Sequence, residues 1–406
     1  MSHLTSIELF SGAGGLALGV SLAGFEHKLL LEYDHDACET LRANRRFFGR
    51  SCAIHEGDVH EFDFEPFKGI DLLAAGAPCQ PFSIGGKHKA DRDKRNLFPQ
   101  VFRAIRETQP RAVIIENVKG LLRPSLRKFV EYVELQLANP TITPPDDADE
   151  HDWESHLPRL RHVPQQGDRG GLNYRVQRLL LNAADFGVPQ KRERVFFVAI
   201  RGDVLSTWAA PVATHSQYTL RLEQEVSASY WRRHRLPAKK HVGHPKHGAW
   251  LREAGNRAAW QTVRDALKGL PRPRARQDYP GILNHVGQPG ARSYPGHTGS
   301  ELDAPAKTLK AGVHGVPGGE NMLRKPDGTV RYFTVREAAR LQTFDDNYEF
   351  LGAWGEALRQ IGNAVPVALA RSVAASLATC MNATSETDQL IRAQPSRFAQ
   401  AALPGF

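Results

Sequence analysis

The chain has 406 residues, 41% of them hydrophobic and 24% charged, which suits a globular protein of two or three domains. No apolar run of about eighteen residues occurs, so no membrane span is expected. The opening Met1-Ser2-His3-Leu4-Thr5 lacks the basic-then-apolar pattern of a secretory signal. Cys38, Cys52, Cys79 and Cys380 are too few and too scattered for a disulfide framework, and reduced thiols in a cytoplasmic protein are expected. The formal net charge of +9 points to a polyanionic partner. The charge is concentrated, because residues 201–310 hold 18 Lys+Arg against 8 Asp+Glu. Trp231-Arg232-Arg233-His234-Arg235 and Pro271-Arg272-Pro273-Arg274-Ala275-Arg276 fit phosphate contact or, equally, a solvated basic face.

Along the chain, the pattern predicts strands over 7–10, 29–33, 71–76, 113–116 and 194–200. Helices are predicted over 14–23, 35–47, 97–108, 125–137 and 174–182. This alternation predicts an α/β fold with a doubly wound, mostly parallel sheet across residues 1–202. Residues 83–95 read as a polar loop, and 139–171, rich in Pro, Asp and Gly, as an insertion. From 203 to 330 periodicity gives way to Pro-, Gly- and His-rich stretches, read as a smaller irregular domain. Helix returns over 334–342, opened by a Thr334/Glu337 capping box. An apolar helix over 365–377 is expected to dock back on the first domain, with a flexible tail over 382–406.

Several segments carry chemistry. Phe10-Ser11-Gly12-Ala13-Gly14-Gly15 follows the first strand, where glycines let backbone approach a ligand at a helix N-terminus. Glu32 ends the second strand, placed to accept from ribose hydroxyls, and Asp58 in Gly57-Asp58-Val59 is a candidate for an adenine amino group. An adenosine-containing cofactor follows, although the glycine turn alone also fits a nicotinamide cofactor or a structural turn. Gly76-Ala77-Pro78-Cys79-Gln80-Pro81-Phe82-Ser83 sets a cysteine just past a strand's carboxyl end, where open α/β sheets bind ligands. A lowered pKa would make that thiol a nucleophile. Glu116-Asn117-Val118 brings a carboxyl group to the same edge, and Gln190-Lys191-Arg192-Glu193-Arg194 two arginines.

In order, these segments resemble the cytosine-C5 DNA methyltransferase family of the bacterial restriction-modification type. Arg336-Glu337-Ala338-Ala339-Arg340-Leu341-Gln342 and Gln360-Ile361-Gly362-Asn363-Ala364-Val365-Pro366 belong to the same resemblance. It covers roughly residues 5–138, 173–200 and 330–372. Asp345 stands where the family often has proline, and 139–171 is longer than in compact members.

The resemblance implies that Cys79 attacks C6 of a target cytosine, so that C5 accepts the methyl group of S-adenosyl-L-methionine, leaving S-adenosyl-L-homocysteine. Glu116 would hold N3 while protonated or sharing a proton, with Arg194 near O2 and Arg192 its neighbour. Implied cofactor contacts are Phe10, Gly12, Gly14, Gly15, Leu16, Glu32, Tyr33, Asp58, Val59, Pro78, Leu97, Asn363 and Val365. The base must be flipped from the duplex, with the loop over 83–95 closing on it. Gln80, Ser83, Lys87, Arg95, Arg232, Arg233 and Arg235 are the expected DNA contacts, and 203–330 becomes the target-recognition domain, with 331–381 carrying the late motifs. Double-stranded DNA is the expected partner of a monomer, alongside a cognate restriction endonuclease that it need not touch. No metal is expected, since His241, His244 and His247 cluster in a segment without cysteine. The alternatives are a transfer-RNA methyltransferase with the same chemistry and a non-catalytic DNA-binding regulator.

Overall fold

The computed structural model describes residues 4–78, 96–144, 152–163, 171–204, 208–238, 247–311 and 321–393. Its centre is a seven-stranded sheet. The strands are β1 (Leu4–Leu9), β2 (Phe25–Glu32), β3 (Ala53–Glu56), β4 (Leu72–Ala75), β5 (Ala112–Val118), β6 (Tyr174–Asn182) and β7 (Glu193–Arg201). They lie in the order β3-β2-β1-β4-β5-β7-β6. The pairs among β1 to β5 are parallel, while β7 runs antiparallel between β5 and β6. The order reverses between β1 and β4, which opens a crevice at the strands' carboxyl ends.

Side-chain alternation places helices on both faces, as a doubly wound sheet requires. Val113 and Ile115 of β5 face α3 (Phe98–Thr108), α4 (Arg127–Ala138) and α5 (Trp153–Arg161) through Phe98, Phe102, Phe129 and Trp153. Ala112 and Ile114 face the other way, where Leu16 and Val20 of α1 (Gly15–Leu22) meet Leu369, Val373 and Leu377 of the last helix. A third cluster joins Leu41 of α2 (His35–Ala43) to Phe333, Leu341, Phe344 and Tyr348.

Between β7 and the late motifs, the elements are short, as the loss of periodicity predicts. They include α6 (Gln217–Arg221), α7 (Ser229–Arg233), α8 (His247–Ala254) and α9 (Val263–Leu267), with two- and three-residue strands. Tyr230, Trp231 and Trp260 form a small core of their own here. The chain then returns through α10 (Val335–Leu341), α11 (Trp354–Asn363) and α12 (Val367–Ala393). The Thr334/Glu337 capping box is present, with both reciprocal bonds at 2.9 and 3.1 Å.

Four expectations are corrected. The stretch 174–182 is the strand β6, not a helix, and pairs with β7 along its whole length. Val176, Leu179 and Leu180 have helical spacing, but an open sheet edge supplied a partner that local pattern does not record. The insertion contains α5, docked on α4 through Trp153 and Tyr132. The helix over 35–47 stops at Ala43, with a single 3-10 turn at Arg45–Phe47. The last helix runs to Ala393, past the point at 382 where the flexible tail was expected to begin. Neither β3 nor α11 was foreseen.

An 18-residue window within Trp354–Asn382 has a mean hydropathy of 1.5, enough for a membrane-crossing helix by length and composition alone. The chain turns between α11 and α12, however, and Leu369, Val373, Leu377 and Met381 are buried in the core beneath the sheet. Close packing there depends on glycine. A β-carbon at Gly15 would collide with the Val365 carbonyl, and one at Gly19 with Ala370 and the Arg371 amide. Gly19→Val should therefore lower stability by about 2–4 kcal/mol through overpacking, read as a lower denaturation midpoint in urea. An unchanged midpoint would show that α1 and α12 separate without cost.

Candidate active site

The crevice at the carboxyl ends of β1, β2, β4 and β5 is a cleft of about 560 Å³. Phe10, Gly12, Leu31, Glu32, Tyr33, Asp34, Asp58, Val59, His60, Pro78, Leu97, Glu116 and Asn117 line it, and α11 roofs it with Arg359, Gln360 and Asn363. Phe10 leaves β1 at φ 57°, a conformation that non-glycine residues adopt only when their surroundings hold them there.

The cleft's carboxylates are anchored by backbone. Gly12 N–H donates to Glu32 Oε2 at 2.7 Å, while Tyr33 and Asp34 N–H both donate to Oε1 at 2.9 Å. Glu32 thus ties the glycine turn to the end of β2. Asp34 caps α2 through the Ala37 amide at 3.0 Å and pairs with Arg359 of the roof at 2.7 Å. Asp58 accepts the His60 amide at 3.0 Å, and His60 Nδ1 lies 2.6 Å from the same oxygen. These bonds, the backbone one foremost, hold the Asp58 carboxyl below its ordinary range.

Glu116 has a different setting. It is 7% exposed at the end of β5, with Arg194 Nε of the adjacent β7 at 2.8 Å from its Oε1. Burial pushes its pKa up, and the nearby Arg194 and Arg192 cations only partly offset that. The pair therefore joins a carboxyl group inclined to keep a proton with a cation fixed beside it. Asn117 donates to the Ala77 carbonyl at 3.2 Å, tying the segment that runs into Pro78 to the same strand end.

Arg192, 1% exposed, points elsewhere than its sequence neighbour. Its guanidinium donates to the carbonyls of Leu309 at 2.8 Å, Gly362 at 2.6 Å and Ala364 at 3.1 Å. It fixes the last turn of α11, and so places Asn363 over the cleft. Gln190 and Gln342 extend this node, the former donating to the Leu341 carbonyl and the latter to that of Ile361.

Of the expected cofactor contacts, Phe10, Gly12, Glu32, Tyr33, Asp58, Val59, Pro78, Leu97 and Asn363 come together in the cleft. Gly14, Gly15, Leu16 and Val365 do not line it. Gly14 sits against Leu41, Phe48 and Tyr348, Gly15 abuts Val365, and Leu16 and Val365 share the core under α12. Cys79, Gln80, Ser83, Lys87 and Arg95 lie outside the described residues, as do His241 and His244. Arg232 and Arg235 are exposed, whereas Arg233 pairs with Glu223 at 2.8 Å and lies over the Tyr230 ring. Among the described residues no cluster of metal-ligating side chains occurs. Asp34, His60 and Arg359 were not foreseen. Arg359 gave no signal, because the helix carrying it was not recognised.

The profile of the C-5 cytosine-specific DNA methylases matches residues 4–139 and 168–379. The chain belongs to that family. The methylase is 32% identical to the type II methyltransferase M.NgoMIV of Neisseria gonorrhoeae, over 91% of this chain and 96% of that one. It is 31% identical to M.Eco47II of Escherichia coli, over 92% and 78% of the two chains. Its fold is shared with a prophage-encoded E. coli protein described as a DNA modification methyltransferase (TM-score 0.57, 21% identity, 93% and 99% covered). The Dnmt2 methyltransferase of S. pombe shares it too (TM-score 0.52, 16% identity, 94% and 99% covered).

In this methylase, Arg192→Met should leave the Leu309 and Gly362 carbonyls without their donor and the Ala364 carbonyl with that of Gln342 alone, lowering stability by about 3–5 kcal/mol. Guanidinium-chloride unfolding measures the change. A loss under about 1 kcal/mol would mean that the α11 carbonyls find other donors or water.

Proposed function

We propose that this methylase methylates C5 of a cytosine, flipped out of double-stranded DNA, through a covalent adduct between Cys79 and C6. The observation that carries the reading is the Glu116–Arg194 pair, opening beside Pro78 onto the same cleft as Glu32 and Asp58.

The cleft fits S-adenosyl-L-methionine in size and in chemistry. Glu32, held by three backbone amides, keeps acceptor capacity for ribose hydroxyls, and Asp58 offers a carboxylate oxygen to an adenine amino group. Phe10 and the 75% exposed Tyr33 supply aromatic faces, and Asn363 covers the opposite end. When bound there, S-adenosyl-L-methionine supplies the electrophilic methyl group that C5 takes up, leaving S-adenosyl-L-homocysteine.

The residues' own parts follow. The Cys79 thiolate bonds to C6, and the electron pair of the C5–C6 double bond moves towards C5 and the ring carbonyl. Glu116, whose burial favours its protonated form, donates to N3 and relieves the charge entering the ring, while Arg194 stabilises it near O2. After methylation the C5 proton leaves, to water in the absence of a nearer base, and the C6–sulfur bond breaks. The type II relatives favour DNA over transfer RNA as substrate, and a non-catalytic regulator would have no use for a buried acid–arginine pair beside the cysteine loop. The methylase acts as a cytoplasmic monomer in a restriction-modification system, its cognate endonuclease cutting the same site without touching it.

Two outcomes test this. Glu32→Gln, with one acceptor oxygen replaced by a donor, should weaken S-adenosyl-L-homocysteine binding about tenfold in calorimetry while DNA affinity stays within about twofold. Equal cofactor affinity would remove Glu32 from the site. A duplex with 5-fluorocytosine at the target should form a denaturation-resistant adduct when S-adenosyl-L-methionine is present, since fluorine cannot leave as a cation. Cys79→Ser should abolish it. An adduct mapped by peptide analysis to Cys38, Cys52 or Cys380 would falsify the assignment.

A further inference from the structure

Two copies of one tight turn stand in the basic region between β7 and α10. Tyr279-Pro280-Gly281-Ile282 and Tyr294-Pro295-Gly296-His297 each close with a fourth-to-first hydrogen bond, at 3.0 and 2.8 Å. Proline second and a glycine at φ 78° and 81° third make both of them type II turns, stiff at either central position. Residues 268–299 around them carry five Lys+Arg against one Asp.

Both turns are mounted on the catalytic body. His285, fully buried, bridges Thr334 Oγ1 at 3.0 Å and the Pro271 carbonyl at 2.8 Å. Asn284 exchanges two bonds of 2.9 Å with the Phe350 backbone, and Arg336 donates to the Leu283 carbonyl at 3.0 Å. The second turn hangs from the catalytic edge. Lys307 donates to Thr298 at 2.8 Å, its neighbour Ala306 exchanges backbone bonds with Pro189 and Lys191, and three residues on from Lys191 stands Arg194.

Several arginines of the region are already engaged within the chain. Arg233, Arg264 and Arg331 are each engaged by an acidic side chain, and Arg257 by backbone carbonyls. Arg276 and Arg292 are exposed beside the turns. Arg276 is held at φ 54°, with its amide bonded to the Gly287 carbonyl at 2.9 Å, the kind of backbone strain that a rigid surround maintains at functional positions. Tyr294, half exposed, lies against His297 with ring centroids 4.4 Å apart.

We propose that the two Tyr-Pro-Gly turns are paired DNA-reading prongs, and that Arg276 and Arg292 read guanine edges in the major groove. The proposal rests on the DNA methylation reading above and names where its sequence specificity resides. A guanidinium fork on a stiff, anchored support loses little freedom on pairing with the two acceptors of guanine, which favours base readout over a mobile phosphate contact.

The test uses the full chain. Bisulfite sequencing of DNA from a host expressing the wild type defines its site. If no cytosine is methylated in any sequence, the functional reading fails and not merely this one. With the site known, kcat/KM is measured on it and on each single-base neighbour for the wild type, Arg276→Ala, Arg292→Ala and the control Arg252→Ala, an exposed arginine of α8. Each turn variant should lose about tenfold in discrimination at a guanine-containing base pair, with S-adenosyl-L-homocysteine affinity unchanged as proof of an intact fold. The control should keep the wild-type preferences. Preferences equal to wild type in both turn variants would overturn the proposal. So would a uniform loss on all sequences with a shallower salt dependence, the mark of a phosphate contact.

Discussion

The Arg192 guanidinium, a cation buried among backbone carbonyls, holds together parts of the chain that are distant in sequence. It donates to the last carbonyls of α11 and to that of Leu309, so one side chain before β7 joins the sheet, the irregular region that follows β7 and the late helices. A helix's C-terminal carbonyls lack intrahelical partners and carry partial negative charge, which compensates the lost hydration of a buried cation. Gln190 and Gln342 take up neighbouring polar groups of the node. The cleft's roof inherits its position from this node, since Arg359, Gln360 and Asn363 all ride on α11.

Beneath that roof, the carboxylates divide by environment. Glu32 and Asp58 accept backbone amides at strand and turn ends, and Asp34 caps a helix, so the direction of each carboxylate is fixed. Glu116 lies deeper, where desolvation outweighs its arginine partner and favours the proton. One cleft thereby offers fixed acceptors near the ends of β2 and β3 and, at the end of β5, an acid that burial inclines towards its proton, with no side chain required to change place.

The antiparallel β6–β7 hairpin makes this possible. Because β7 runs opposite to β5, its first residues lie beside the last residues of β5, and Val118 pairs with Arg194 in register. A parallel strand in that place would have brought its carboxyl end to Glu116 instead, leaving Arg194 at the far edge. The same reversal puts Pro189 and Lys191 at the cleft's edge of the sheet, where the irregular region is sewn on through Ala306.

The sequence by itself determined the α/β class, the glycine turn, Glu32 at a strand end, the Asp58 and Glu116/Arg194 candidates and the Thr334/Glu337 cap. Each is a local signal, in which strand or helix periodicity and a neighbouring residue type suffice. The tertiary structure decided the rest. Residues 174–182 became a strand because β7 offered an edge, and Gly15 serves close packing because the Ala364–Val365 link into α12 lies against it. The two arginines parted, Arg194 to an acid and Arg192 to helix carbonyls, because Arg192 stands before β7 begins at Glu193 and escapes the alternation that would put i and i+2 on one face. Arg359 joined the cleft only through a fold that returns after more than three hundred residues to Asp34. Hydrogen bonds to backbone at such separations leave no pattern in the neighbouring sequence, because a carbonyl looks the same in every residue.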